Sequence, residues 1–258
     1  MSLGKGSIDL VLVPSGLLLM FGYHLILLYR VLRLPQTTTI GFENHNKKAW
    51  VDGMLRGGSS GAELGLGVIS ASISASSTLA SLSIGLSSLI GAWVGNSSKL
   101  FVPQLFYGDD SLSTNSVKYL SLLACFLAAF TSFVQATRYF VHASFLITTL
   151  DSDVPMSYVE TAVIRGGNFF TVGLRLLYLA ATLLLWVFGP IPMFASSLGI
   201  VITLSIFDTN TTPLHNFRHS SSGKKESKTP DVGASQAMHA SSSYAKSPMY
   251  TTPSIMSG

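Results

Sequence analysis

The sequence predicts an all-α protein, a multi-pass transmembrane helix bundle followed by a disordered C-terminal tail. Three observations carry this reading. Only 11% of the 258 residues are charged while 48% are hydrophobic, whereas soluble domains carry roughly 25% charge. The apolar residues gather into five blocks of near-spanning length. The last two blocks are parted by a Gly-Pro break, a sequence that ends helices.

The first block, IDLVLVPSGLLLMFGYHLILLY at 8–29, is too long for the apolar core of about 7–15 residues in a secretory signal. Its basic residues, Arg30 and Arg33, follow it rather than precede it. It reads as a first span whose C-terminal end faces the cytosol. The connection at 30–63 reads as a loop carrying Arg30, Arg33, Lys47, Lys48 and Arg56.

The second block, GVISASISASSTLASLSIGLSSLIGAWVG at 67–95, is uncharged and holds nine serines. A Gly/Ser linker lacks leucine and isoleucine at regular spacing. A strand reading fails because the alternation ends at Ser76 and 29 residues is far beyond strand length. A helix over about 66–94 sorts the residues. Gly67, Ser70, Ser74, Ser77, Ser81, Gly85, Ser88 and Ala92 fall on one stripe, and most of the large residues fall on another. Small residues let membrane helices approach closely, so Ser70, Ser74, Ser77, Ser81 and Gly85 are expected to pack inside the bundle with the large face toward lipid. The block is about 43 Å long, so it should tilt or protrude, with Trp93 as an interface anchor.

The third block, YLSLLACFLAAFTSFVQAT at 119–137, continues into the amphipathic RYFVHASFLITTL, giving a helix over about 118–150. It carries the lone cysteine, Cys125, which excludes an intrachain disulfide. The fourth and fifth blocks, TVGLRLLYLAATLLLWVF at 171–188 and IPMFASSLGIVITLSIF at 191–207, flank the hinge residues Gly189, Pro190 and Pro192. Two readings stand here: one long helix that crosses once, or two short legs of a hairpin. Charge favours the hairpin. Arg165 and Arg175 put the start of the fourth block inside, and Arg218, Lys224, Lys225 and Lys228 put the tail inside as well. The N-terminus is then outside. The transmembrane domain is 1–207. The tail, 208–258, is rich in Ser and Thr, cannot bury enough apolar surface to offset chain entropy, and is expected to be disordered.

The net charge of +4 fits basic loops against anionic lipid. No basic patch interleaved with aromatics points to nucleic acid. No Asp or Glu occurs in 10–29, 64–95, 117–150 or 171–207, which argues against the intramembrane carboxylates of proton and cation carriers. No catalytic set, cofactor motif or metal cluster is legible. His215 and His219 stand four apart but without the Glu of a metalloprotease motif. The polar groups near the bilayer are His24 with Tyr23, Gln135, Arg138, His142, Asn168 and Arg175. Of these, His24, Arg138 and Arg175 are the candidate ligand or lipid contacts. Arg175 has two readings: a snorkelling side chain, or an inward guanidinium that holds an anion or lipid phosphate.

LVPSGLLLMFGYH (12–24), TTTIG (37–41), Trp50, RGGNFFTVGLRLLY (165–178) and WVFGPIPMF (186–194) together resemble the uncharacterised plant membrane-protein family known as domain of unknown function 599. The resemblance covers roughly 10–207. It implies a multi-pass membrane protein with no assigned activity. The family pattern has an Arg-Asn pair near the start of the second span, where this chain has only small residues around Ala71 and Ser72.

The function expected is that of a non-enzymatic integral membrane protein, structural or signalling-associated, with a regulatory cytosolic tail. The alternative is a transporter or channel for a small anion or neutral solute, and a membrane-embedded enzyme ranks last. Expected partners are membrane lipid and a homo- or hetero-oligomer formed through the second helix. The default location is the plasma membrane or an endomembrane.

Overall fold

The computed structural model describes residues 5–96, 112–149 and 155–212. Among them are α1 (Lys5–Arg33), a 3-10 turn (Pro35–Thr37), α2 (Thr39–Arg56), α3 (Gly58–Asn96), α4 (Leu112–Thr148), α5 (Met156–Trp186) and α6 (Pro190–Phe207). Five helices, all but α2, are long and apolar enough to cross a membrane. Their apolar windows are only 22–33% buried within the chain. Leu10, Leu18, Leu25 and Leu32 of α1 point outward, which lipid tolerates and water does not. The chain is a multi-pass membrane protein.

The packing seam of α4 is a heptad. Tyr119, Leu122, Phe126, Ala129, Phe133, Ala136, Phe140, Ala143 and Ile147 are all buried, at alternating steps of three and four residues. That 3.5-residue period keeps one line of side chains facing a neighbouring helix along the whole length. From Phe126 to Ile147 large and small residues alternate along it, and α5 answers with glycine. A Cβ on Gly173 would stand 2.7 Å from the Phe133 ring, and one on Gly166 would stand 2.8 Å from Phe140. The phenyl rings sit where α5 has no side chain. The same antiparallel register sets Ala180 level with Phe126, and both belong to one core cluster with Val13, Ile90 and Met193.

On the face of α3 the expectation is corrected. Ser70, Ser74, Ser77, Ser81 and Gly85 are exposed within the chain. The buried line is Ala62, Ile69, Ser76, Ala80, Ser83, Ser87 and Ile90. Serines lie on both sides of this helix, so size alone does not distinguish its faces. The partner helix does, because the α4 seam runs in heptads and selects the α3 positions at the matching steps. Ser76 and Ser83 satisfy their hydroxyls on the backbone four residues back, at 2.8 and 2.7 Å, so their burial leaves no orphan.

Helix ends also differ from the apolar blocks. α3 begins at Gly58 rather than about 66, and α5 at Met156 rather than 171. At 39, 37 and 31 residues, α3, α4 and α5 reach about 58, 55 and 46 Å against a hydrocarbon core of about 30 Å. Part of the excess is covered by α2, which packs on α3 and α5. Segment 30–63 is therefore not a loop. Thr38 caps α2 by accepting from Gly41 N at 3.2 Å, and Val51 and Met54 are buried against Ala62, Ile147 and Val159. The other face carries the i,i+4 ion pairs Lys47–Glu43 and Arg56–Asp52. Few apolar residues on one face make an amphipathic helix that cannot span.

The Gly-Pro break is a hairpin. Gly189 has φ 139°, a region that L side chains rarely adopt, and Pro190 opens α6, where its missing N–H costs nothing. α6 returns along α5 and packs on α1. A Cβ on Gly16 would meet the Ser197 hydroxyl at 3.0 Å, so α1 and α6 approach closely there. Residues 208–212 are not tail. Asp208 is 7% exposed, and Thr209 pairs with Thr38 in an isolated antiparallel bridge. The remainder of the expected disordered tail, with His215 and His219, lies outside the described residues.

Candidate functional site

The end of α6 is fastened to the start of α2 by main-chain bonds. Asp208 N donates to Leu204 O at 2.8 Å and closes the helix. Asp208 O then accepts from Thr39 N at 3.0 Å, and Asn210 N donates to Thr37 O at 3.1 Å. Thr39 Oγ1 donates to Phe207 O at 2.7 Å, and Arg30 Nη2 donates to Thr37 O at 2.9 Å. The segment TTTIG thus does three jobs in five residues: it caps α2, it binds the end of α6, and it holds Gly41 so close to the Pro35 carbonyl that no side chain fits.

This clasp fixes the Asp208 carboxylate between two spans. Oδ1 accepts from Arg175 Nη2 of α5 at 2.5 Å, and Oδ2 accepts from the Tyr23 hydroxyl of α1 at 2.5 Å. The side chains of Arg175 and Asp208 are 14% and 9% exposed. In so dry a place a lone guanidinium would be costly, and the carboxylate offsets that cost through short charge-assisted bonds. Arg175 Nε and Nη1 remain buried with no partner.

Beside the cluster lies a cleft of about 480 Å³ between α1 and α5. It exists because α1 packs on α6 and the 3-10 turn, while α5 packs on α4, α6 and α2. Its walls are mainly apolar, with Leu28 and Leu32 of α1, Ile40 of α2, and Val172 and Leu176 of α5; His24, Asn168, Thr171 and Arg175 supply the polar groups. His24 Nδ1 lies 2.7 Å from Met20 O. A carbonyl only accepts, so Nδ1 carries a proton, and in the neutral ring Nε2 is left as an acceptor. That Nε2 is buried and unpartnered. Asn168 Oδ1 accepts from Asn44 Nδ2 at 3.1 Å and ties α5 to α2.

Of the three candidate contacts, His24 and Arg175 are brought to one cleft. Arg138 is not: it lies on the exposed side of α4 and lines no part of the cleft. Arg175 is largely buried and paired with Asp208, an internal partner that neither reading of Arg175 included. Asp208 escaped sequence reasoning because it lies one residue past the fifth apolar block. Its signal was present, since a hairpin carries the first acidic residue after that block back toward Arg175. Lys118 was missed as well. It is 4% exposed and stands 5.7 Å over the Trp186 ring. Among the described residues no group of three or more His, Cys, Asp or Glu could hold a metal ion.

No curated protein and no solved structure matches this chain. A family model does match, and it covers α1 from its second turn, the TTTIG clasp, the Arg175 span and the hairpin through Asp208, which are the parts that build the cluster. The match runs over residues 11–213, and the chain belongs to the family described as Protein of unknown function, DUF599.

Proposed function

We propose that this membrane protein is non-enzymatic and works by association, in a structural or signalling-associated role, with α3 as its intramembrane contact surface and the C-terminal tail as a cytosolic regulatory arm. One observation supports the reading above others. Gly67, Ser70, Ser74, Ser77, Ser81, Gly85, Ser88 and Ala92, eight small residues on one stripe of α3, are all exposed within the chain. Lipid gains little from a small-residue face, whereas a second helix gains close backbone approach. The plasma membrane or an endomembrane is the setting this reading assumes.

Cysteine crosslinking in native membranes tests it. In a Cys125→Ala background, Ser74→Cys, Ser77→Cys and Ser81→Cys should each yield crosslinked dimers, or one adduct of constant larger mass with a different partner. Leu82→Cys, off the stripe, should yield neither. Monomer at every position would sink the association reading.

The cleft beside Arg175 favours a second reading, a transporter or channel for a small anion or neutral solute. A flux assay on the full chain in liposomes separates the two. Release no faster than from protein-free vesicles leaves association standing.

A further inference from the structure

We propose that the cleft between α1 and α5 binds a single-chain amphiphile headed by a carboxylic acid. The head lies between His24 and Arg175, and the chain runs along the apolar walls. This goes beyond the association reading and does not depend on it.

The cleft volume of about 480 Å³ falls within the range of about 300–1,000 Å³ typical of small-molecule sites. The wall residues run from Met20 to Leu32 on α1, about 18 Å along the helix axis, so the cleft is long as well as apolar. Phe21, Leu28 and Val172 at its margin are 55%, 53% and 48% exposed on spans that face lipid. A guest dissolved in the membrane enters sideways without crossing a polar barrier. An extended chain fits such a shape better than a compact solute.

Hydrogen-bond chemistry then selects the head. Arg175 offers N–H donors at Nε and Nη1, and His24 offers an acceptor at Nε2, none of them with a partner in the protein. All three nitrogens are buried, and both residues line the cleft. A carboxylic acid carries one acceptor and one donor on adjacent oxygens. Its carbonyl accepts from Arg175 while its hydroxyl donates to His24 Nε2. An alcohol must use one oxygen for both.

Charge balance points the same way. Asp208 already neutralises Arg175 at 2.5 Å. A phosphate head brings uncompensated negative charge into a dry site, which is costly. A carboxylic acid enters neutral.

The test uses the full chain in nanodiscs of zwitterionic phosphatidylcholine with a diazirine-bearing hexadecanoic acid. Photolabel should map to α1 and α5 at the cleft. Unlabelled hexadecanoic acid should compete at concentrations about tenfold below hexadecanol or hexadecyl phosphate, the difference a hydrogen bond to a charged group makes. Val172→Trp fills the cleft from an exposed position and should abolish labelling; if that variant misfolds, Leu28→Trp fills it from the other wall. His24→Phe keeps ring bulk and removes Nε2, and should weaken the acid about tenfold and so narrow its advantage over hexadecanol. Equal competition by acid, alcohol and phosphate, or labelling that survives cleft filling, overturns the proposal and leaves an unselective lipid groove.

Discussion

Arg175 and Asp208, 33 positions apart in the chain, meet at 2.5 Å across the mouth of the hairpin. The contact joins two spans to a third, because the other carboxylate oxygen of Asp208 holds Tyr23 of α1. Removing one member of a buried ion pair strands the other, which costs about 3–5 kcal/mol, whereas replacing both with apolar residues is far milder. Asp208→Ala should therefore destabilise the folded bundle by about 3–5 kcal/mol. The double variant Arg175→Met with Asp208→Leu should recover most of that loss. Reversible unfolding in mixed micelles measures both. A double variant as damaged as the sum of its singles would mean the two residues act independently.

The α4–α5 seam makes a size prediction. Phe133 is fully buried and lies where Gly173 has no side chain, and its ring stacks edge-on against Phe170 at 5.7 Å. Gly173→Val forces the ring aside and should cost about 1–3 kcal/mol, as overpacking does. Phe133→Ala leaves a cavity and should cost about 3–5 kcal/mol. Combining Gly173→Val with Phe133→Leu should be less harmful than either change alone, because the volumes offset. Thermal denaturation of the parent, Gly173→Val, Phe133→Leu and their double in one detergent decides it; strict additivity would show that the two residues are not in contact.

α3 supplies a prediction about faces. Ser83 and Ser87 are 0% and 3% exposed, while Ser74 and Ser81 are exposed. Ser83→Leu and Ser87→Leu should each force α3 from α4 and cost about 1–3 kcal/mol within one chain. Ser74→Leu and Ser81→Leu should leave the stability of the isolated chain within about 0.5 kcal/mol of the parent. Unfolding of the monomer in detergent is the measurement. Losses at Ser74 and Ser81 as large as those at Ser83 and Ser87 would contradict the buried line seen here.

Five spans were legible in this sequence because a membrane demands long apolar runs, and that demand overrides local propensity. The hinge was legible for a similar reason: Gly189 and Pro190 leave little choice of backbone. α2 was hidden, since its apolar residues Trp50, Val51, Met54 and Leu55 occupy only one face of a polar segment, and a search for spans passes over it. The orientation of α3 was hidden because Ser70 and Ser76 are alike in size and polarity, and only the heptad line of α4 distinguishes them. His24 and Arg175 could be singled out as polar residues in apolar runs. Their meeting in one cleft, and the Asp208 carboxylate between α1 and α5, depend on helix packing that no local pattern records.

The end of α6 is bonded to Thr37 and Thr39, which follow directly on the C-terminal end of α1. α1 and α6 therefore finish on the same side, and the five spans α1, α3, α4, α5 and α6 alternate in direction between them. An odd number of crossings puts the N-terminus and residue 212 on opposite faces. The basic residues Arg30, Arg33, Lys47, Lys48 and Arg56 cluster at the face that holds residue 212, and positive charge marks the cytosolic side. A reporter fused after residue 258 should resist external protease in intact cells, while one fused before Met1 should be cut. Gly189→Val bears on the same geometry, because a branched side chain at φ 139° is strained and the hairpin should open or misfold, at a cost of about 1–3 kcal/mol. Both reporters on one side of the membrane would refute five crossings and restore a single long helix through 171–207.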